Sequence, residues 1–333
     1  MAISCLHASV GGDADLRAFE AVEPHMGTLF RIKLYAKSEA QAQSAFRAAF
    51  DRVSRLDETL SDYKPQSELS TIAWTSVRHP VPVSDDLFRV LSAAQKMAEQ
   101  TDGAFDITVG ALTHLWRESR KTGRVPNSQE LQSAVRRCGF RKLHLNSAKQ
   151  SVSVNMPGME LDAGGIAKGY AADEALLVLR HSGVTQALVA ASGDLALGDP
   201  PPGKAGWLVG VDSLDSAGQP FTRVLSLANA AVSTSGDSEQ YMDKGGKRYS
   251  HILDPRTGMA LTHQLTATVV APTSTEADAA ATAVSVLGRD EGLIFIEKQI
   301  GMAALFVDRA ATPAKVTVSR RFNRLPAPKG DGI

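Results

Sequence analysis

The chain has 333 residues, 43% of them apolar, with 36 Lys and Arg against 36 Asp and Glu. That length and composition can bury a large core as one big domain or two lobes. A formal net charge of zero argues against nucleic-acid binding, and two cysteines, Cys5 and Cys138, are too few for a disulfide framework or a cysteine-based zinc site.

In chain order, residues 1–20 read as a loose end. They lack a basic leader and a full apolar stretch, so no signal peptide is expected, and no apolar run approaches the ~20 residues that cross a bilayer. Cys5 follows small residues, faintly like a lipoprotein cleavage site, and a chance cysteine explains it as well. Met26-Gly27-Thr28 leads into a strand over residues 29–35, where Phe30, Ile32 and Leu34 alternate with Arg31, Lys33 and Tyr35. Ser38 and Gln41 form a capping box before a helix that carries Ala42, Phe46, Ala49, Phe50, Val53, Leu56 and Leu60 on one face. The helix runs out in a polar segment, residues 61–70, that holds Tyr63. This tyrosine is either an ordinary loop residue or a platform for a ring.

A second helix spans residues 84–99 and ends at TDGAFDITVGALTHLW, where Asp102 and Asp106 flank Gly103 and Phe105 beside a strand-like ITV. That stretch suits a ligand edge or a simple turn. A short helix over 127–138 and a pair of strands, 143–145 and 152–154, follow. Next comes ELDAGGIAKGYAAD, residues 160–173. Three glycines (Gly164, Gly165, Gly169) sit there with Asp162 and Lys168, between a short strand at 159–161 and a helix. Glycine lets a backbone approach a ligand, and a helix start offers free N–H groups to an anion. The stretch is therefore either a phosphate-cradling turn or a tight packing turn; it has neither the P-loop spacing nor GxGxxG.

Gly183 ends the helix. Strands are expected at 186–191, 207–211, 223–227, 266–271 and 303–307, with a hairpin closed at Gly245-Gly246. An alanine-rich helix covers 272–287 and a short one 291–298. On the first of these, Asp278 and Thr282 are four residues apart and share a face. A carboxylate and a hydroxyl suit a hard cation such as Mg²⁺. The same pair also fits a buried carboxylate bonded to a base, with Thr282 bonding back to its own helix. His251, in SHILDPRTG, has the chemistry of an acid, a base or a phosphate donor, and equally of a structural histidine. Asp254 reads as a base or a turn cap, and Arg256 as a phosphate clamp or a solvated side chain. Residues 311–333 read as a tail.

Taken together, several segments resemble the ApbE family of FAD:protein FMN transferases. They are MGT (26–28), SDYKPQSELS (61–70), DGAFDITVGAL (102–112), LDAGGIAKGYAAD (161–173), SGD (192–194), STSGD (233–237), YSHILDPRTG (249–258) and APTSTEADAAATA (271–283). The resemblance implies an α+β, T-fold-like architecture of mostly antiparallel sheets with flanking helices, filling residues 21–310. It implies Mg²⁺ as cofactor, FAD as substrate and a flavin-carrier protein with a Thr or Ser acceptor as partner. FMN would pass to that hydroxyl with release of AMP; the alternatives are an FAD pyrophosphatase and a non-catalytic flavin-binding protein. By position, Met26, Tyr63, Ala104, Phe105, Asp106, Asp162, Lys168, His251 and Ile252 would contact FAD. Gly165 and Ala281, through their carbonyls, would hold the metal with Asp278 and Thr282. His251 and Asp254 are the candidate catalytic bases. The chain departs from the family pattern at Ser192-Gly193-Asp194, where GGD is usual, and at Asp162-Ala163-Gly164-Gly165, where DLGG is usual. Family members are usually exported to the periplasm or anchored as lipoproteins; with no leader expected here, two readings stay open, a cytoplasmic protein or a sequence that starts after a removed leader.

Overall fold

The computed structural model describes residues 16–214, 219–236, 241–309 and 314–328. The elements run β1 (Arg17–His25), β2 (Thr28–Ala36), α1 (Glu39–Leu60), α2 (Glu68–Thr75), β3 (Val81–Pro82), α3 (Asp85–Gln100), α4 (Gly110–Thr122) and α5 (Ser128–Arg137). They continue β4 (Leu143–Asn146), β5 (Ser151–Val154), α6 (Ala167–His181), β6 (Ala187–Ala191), β7 (Asp194–Leu197), β8 (Trp207–Leu214), β9 (Pro220–Leu227) and β10 (Ala230–Ser235). The last are β11 (Tyr241–Lys244), β12 (Lys247–Ser250), β13 (Leu265–Ala271), α7 (Ser274–Lys298), β14 (Ala303–Asp308) and β15 (Lys315–Val318).

Eight strands form the main sheet in the order β1-β2-β6-β7-β10-β13-β14-β15. Every strand pair among the described residues of this sheet is antiparallel; parallel contact is confined to isolated bridges such as Val109 with Glu160. The α+β class and the antiparallel sheet with flanking helices are as expected from the sequence.

Period-2 alternation sends successive side chains to opposite faces. Along β13 and β14, Ala267, Val269, Ala304 and Phe306 enter the core beneath α1, α6 and α7. Val270, Ala303, Leu305 and Val307 enter a second core on the other face. The β8–β9 hairpin covers that second face with Trp207, Val209, Val211, Leu225 and Leu227. α7 is apolar almost all round, and so is buried between the sheet and α6.

Five expectations are corrected. β1 pairs with β2 along its whole length from Arg17, so the loose end does not extend to residue 20; residues 1–15 lie outside the described residues. β15 pairs with β14, and fully buried Phe322 sits in the second core, so much of residues 311–333 is not a tail. The second sheet face needs a cover, and this segment supplies part of it. The strand-like ITV is not a strand but precedes α4, and the polar segment 61–70 runs into α2, which starts at Glu68 and is capped by the Ser67 hydroxyl. Finally, no strand forms at 159–161. Glu160 makes one bridge to Val109 and accepts from Gly110 N at 3.0 Å.

Candidate functional site

α6 and α7 cross at Gly169. A Cβ there would lie 2.2 Å from Ser274 O and 2.9 Å from Asp278 Cβ, so only glycine admits this approach. Asp173, one turn further along α6, clamps the start of α7 by accepting from Ser274 N (2.8 Å), Thr275 N (2.8 Å) and the Thr275 hydroxyl (2.6 Å). The crossing brings the glycine-rich stretch against Asp278, as the buried face of the alanine-rich helix required.

Lys168 Nζ lies 3.0 Å from Asp194 Oδ2, 3.4 Å from Asp278 Oδ2 and 3.2 Å from Gly164 O. Asp194, the acid of the SGD segment, also accepts from the Ser233 hydroxyl at 2.5 Å. Thus SGD and the first residues of STSGD join the cluster; Asp237 lies outside the described residues. Burial and the nearby Asp194 charge push the Asp278 carboxyl up to about 7, against the pull of Lys168. Burial alone would lower the Lys168 pKa, but the Asp278 and Asp194 charges outweigh it and hold the ammonium above its usual range.

The distribution of hydrogen bonds tests whether the cluster suits a cation. Gly169 N would reach Gly165 O in a regular first helical turn; here it donates to Asp278 Oδ2 at 3.1 Å. Gly165 O therefore accepts nothing from the described residues. Asp278 Oδ1 and the Thr282 hydroxyl are likewise without a partner among them. A Cβ on Gly165 would meet Thr282 Oγ1 at 3.0 Å and Phe105 Cε2 at 3.3 Å, so both side chains close in on the Gly165 backbone. A carboxylate, a hydroxyl and a carbonyl left over side by side are hard oxygen donors that fit Mg²⁺. No group of three or more His, Cys, Asp or Glu able to hold a metal occurs among the described residues. Ala281 is less available. α7 keeps helical geometry there, its break falling at Gly288, and Ala281 O accepts from the Ser285 hydroxyl at 2.8 Å.

A second cluster adjoins the first through Gly164. Asp162 Oδ1 accepts from Gly164 N at 2.7 Å, and Asp162 N donates to Ile107 O at 2.8 Å. Arg117, on α4, pairs with Asp62 Oδ2 at 2.5 Å and lies 3.5 Å from Asp162 Oδ2. Its guanidinium stacks 4.0 Å from the centre of the Tyr63 ring. Burial and the Asp162 charge raise the Asp62 carboxyl, with Arg117 opposing them. Sequence reasoning missed Asp62, Arg117 and Asp194 as site residues. The amphipathic pattern of LTHLWRESRK, with Leu112 and Trp116 inward, was the available sign that Arg117 sits on a helix.

The remaining candidates divide. Ala104 and Ile252 pack together with Val286 of α7, which ties the DGAF and SHIL segments to the helix that carries Asp278. His251 precedes buried Ile252 and is itself exposed. The Asp106 carboxylate is filled by Thr108 N (2.8 Å), the Thr108 hydroxyl (2.7 Å) and Phe140 N (2.8 Å), so it braces its loop. Asp254 is engaged by Arg256, whose N and Nε each lie 2.9 Å from Oδ1 and whose Nη2 lies 3.1 Å from Oδ2, the arrangement of a turn cap. Met26 and Gly27, with φ of 48° and 71°, make the two-residue turn between β1 and β2. A recess of about 460 Å³ beside that turn is lined by Met26 and by none of the other candidates.

Fold and site together define an α+β protein of T-fold-like architecture with an oxygen-donor site where two helices cross. The family model of the ApbE family matches residues 26–306, and the chain belongs to that family. It is similar to an FAD:protein FMN transferase of Treponema pallidum, 34% identical over 320 residues, 92% of this chain and 88% of that protein. A protein of the same name from Klebsiella pneumoniae is 30% identical over 298 residues, covering 89% of this chain and 91% of the relative. Among solved structures, the apo form of the Pseudomonas stutzeri flavinyl transferase ApbE superposes with a TM-score of 0.80 at 28% identity, covering 96% of this chain and 98% of that one. The ApbE protein of Thermotoga maritima superposes with a TM-score of 0.82 at 30% identity, covering 93% of this chain and 99% of that one.

Proposed function

We propose that this chain is a Mg²⁺-dependent FAD:protein FMN transferase, which moves FMN from FAD to a threonine or serine hydroxyl of a flavin-carrier protein and releases AMP. The observation that carries the reading is the set of oxygens left over at Gly165, Asp278 and Thr282 beside the Lys168 ammonium. Relatives named for this activity, matching almost end to end, support it.

Gly165 O, Asp278 and Thr282 would hold the metal, with Ala281 O joining if Ser285 releases it. When bound, the ion would neutralise phosphate oxygens and stabilise the leaving group. Lys168 adds fixed positive charge for the same phosphates. Met26, Tyr63, Phe105 and Ile252 offer apolar or stacking surface to the two ring systems of FAD, and Asp162 a carboxylate for its adenine end. Ala104 and Asp106 shape the adjoining loop. The acceptor hydroxyl oxygen bonds to the FMN-side phosphorus as the bond from that phosphorus to the AMP oxygen breaks, and the hydroxyl proton passes to a base. His251 is our assignment for that base, because its side chain is exposed and Asp254 is engaged by Arg256.

Incubating the purified chain with FAD, MgCl₂ and a flavin-carrier subunit bearing a threonine acceptor tests the reading, with mass analysis of the carrier and chromatography of AMP. Covalent FMN on the carrier with stoichiometric AMP is expected. AMP released equally fast without carrier, and no labelled carrier, would make the chain a pyrophosphatase. Bound flavin with no AMP at all would make it a flavin-binding protein.

A further inference from the structure

We propose that Arg117 is a positioning residue of the nucleotide site, locking the Tyr63 ring and the Asp162 carboxylate into one arrangement on which affinity for FAD depends. The inference rests on the flavin transferase reading above.

Tyr63 is 73% exposed and stands in the segment between α1 and α2, where a lone tyrosine would exchange among rotamers. Arg117 removes that freedom. Its guanidinium lies 4.0 Å from the ring centre, closing one face of the ring and leaving the other to solvent. A planar ring system arriving at the open face meets a platform already oriented. The guanidinium is itself fixed, 18% exposed and forked between Asp62 and Asp162. Asp62 directly precedes Tyr63, so the same fork anchors the backbone that carries the ring.

Asp162 is held from the other side. Gly164 N bonds its Oδ1, and Gly164 O accepts from Lys168. An unbroken series of contacts therefore runs from the Tyr63 ring through Arg117, Asp162 and Gly164 to the Lys168 ammonium. It links the ring platform to the phosphate-type cluster. Without Arg117, two largely buried carboxylates would face each other with no cation between them, and Tyr63 and Asp162 would move apart. Lysine cannot replace it fully, since an ammonium lacks the planar fork that meets two carboxylates and a ring face at once.

The test is a double-mutant cycle with R117M and Y63L, read as FAD affinity by flavin fluorescence, with R117K measured beside them. We expect R117M to weaken FAD binding roughly tenfold with little change in kcat at saturating FAD, and R117K to fall between R117M and the wild type. The loss on R117M should shrink in the Y63L background, because the two residues act as one unit. Wild-type affinity in folded R117M, or losses that simply add, would overturn the proposal while leaving the flavin reading intact. If R117M does not fold, wild-type affinity in R117K overturns it and a several-fold loss supports it. Absence of FAD binding by the wild-type chain would overturn the flavin reading and this inference with it.

Discussion

Asp278 holds two demands at the residue scale. Its carboxylate is buried and accepts from Lys168 and Gly169 through one oxygen, while the other remains for a ligand. An asparagine in its place would keep the shape and an acceptor for Gly169 N but lose the charge, so Asp278→Asn should abolish the Mg²⁺ response. Lys168 would then keep Asp194 as its counter-ion, and with one buried charge fewer the metal-free protein should be no less stable than the wild type near pH 7. A Mg²⁺ titration of activity beside a urea melt checks both; a wild-type Mg²⁺ response would leave Asp278 a structural residue. A metal ion binds the ionised carboxylate, whose pKa is raised to about 7, so Mg²⁺ affinity should climb as pH rises through about 7 and decline below it. For the metal-free protein this group works in the opposite sense. A raised folded-state pKa favours the folded state at low pH, and that contribution is lost as pH rises from 3.8 through about 7. Thermal melts across that range, with and without Mg²⁺, should therefore diverge as pH increases. His251→Ala should lower FMN transfer by at least about tenfold and leave FAD affinity within about twofold, since a base acts on the acceptor proton and not on the dinucleotide. Equal losses in transfer and in FAD affinity would make His251 a binding residue.

At the scale of elements, the crossing of α6 and α7 sets the site. Gly169 is the point of contact, and Gly169→Ala would drive a methyl group into Ser274 O. Forcing the helices apart should cost about 3 kcal/mol. The same shift would carry Asp278 away from Gly165, so the Mg²⁺ concentration for half-maximal activity should rise more steeply than stability alone explains. A variant destabilised in a urea melt but unchanged in its Mg²⁺ requirement would show that the crossing does not set the donor geometry. Capping was plain at this scale. Ser38 accepts from Gln41 N as expected, although the Gln41 side chain reaches back to Lys37 N rather than to Ser38 N. Asn127 and Glu130 make a full reciprocal box at the start of α5.

For the whole molecule, the sheet needs cover on both faces. Helices serve one face; the β8–β9 hairpin and the C-terminal segment serve the other. Phe322, fully buried there among Leu305, Val307 and Leu225, is a strong point of that cover. Phe322→Ala should cost about 3 to 4 kcal/mol, measured by chemical denaturation, and leave FAD affinity nearly unchanged because the helix crossing lies on the opposite face. A loss below about 1 kcal/mol would mean that the segment is not part of the folded unit.

Much of this was legible along the chain because it depends on local order. Alternation in residues 29–35, the amphipathic face of α1 and the all-round alanine of α7 each report a burial pattern set by backbone geometry. Asp278 and Thr282, four residues apart on one helix, share a face whatever surrounds them. Tertiary structure alone decided the rest. Whether Asp278 meets a base or keeps an oxygen for a ligand depended on where α6 crosses α7, and the crossing answers both at once: Lys168 takes one oxygen and the other stays open. Asp254 resolved into a turn cap, and Asp106 into a loop brace, only when the donors around them were in place. Arg117 joins Asp62 to Asp162 from a third stretch of sequence, and no local pattern encodes a contact made by three separate segments. Backbone periodicity is a property of neighbours in the chain; a site assembled from distant segments exists only once the core has packed.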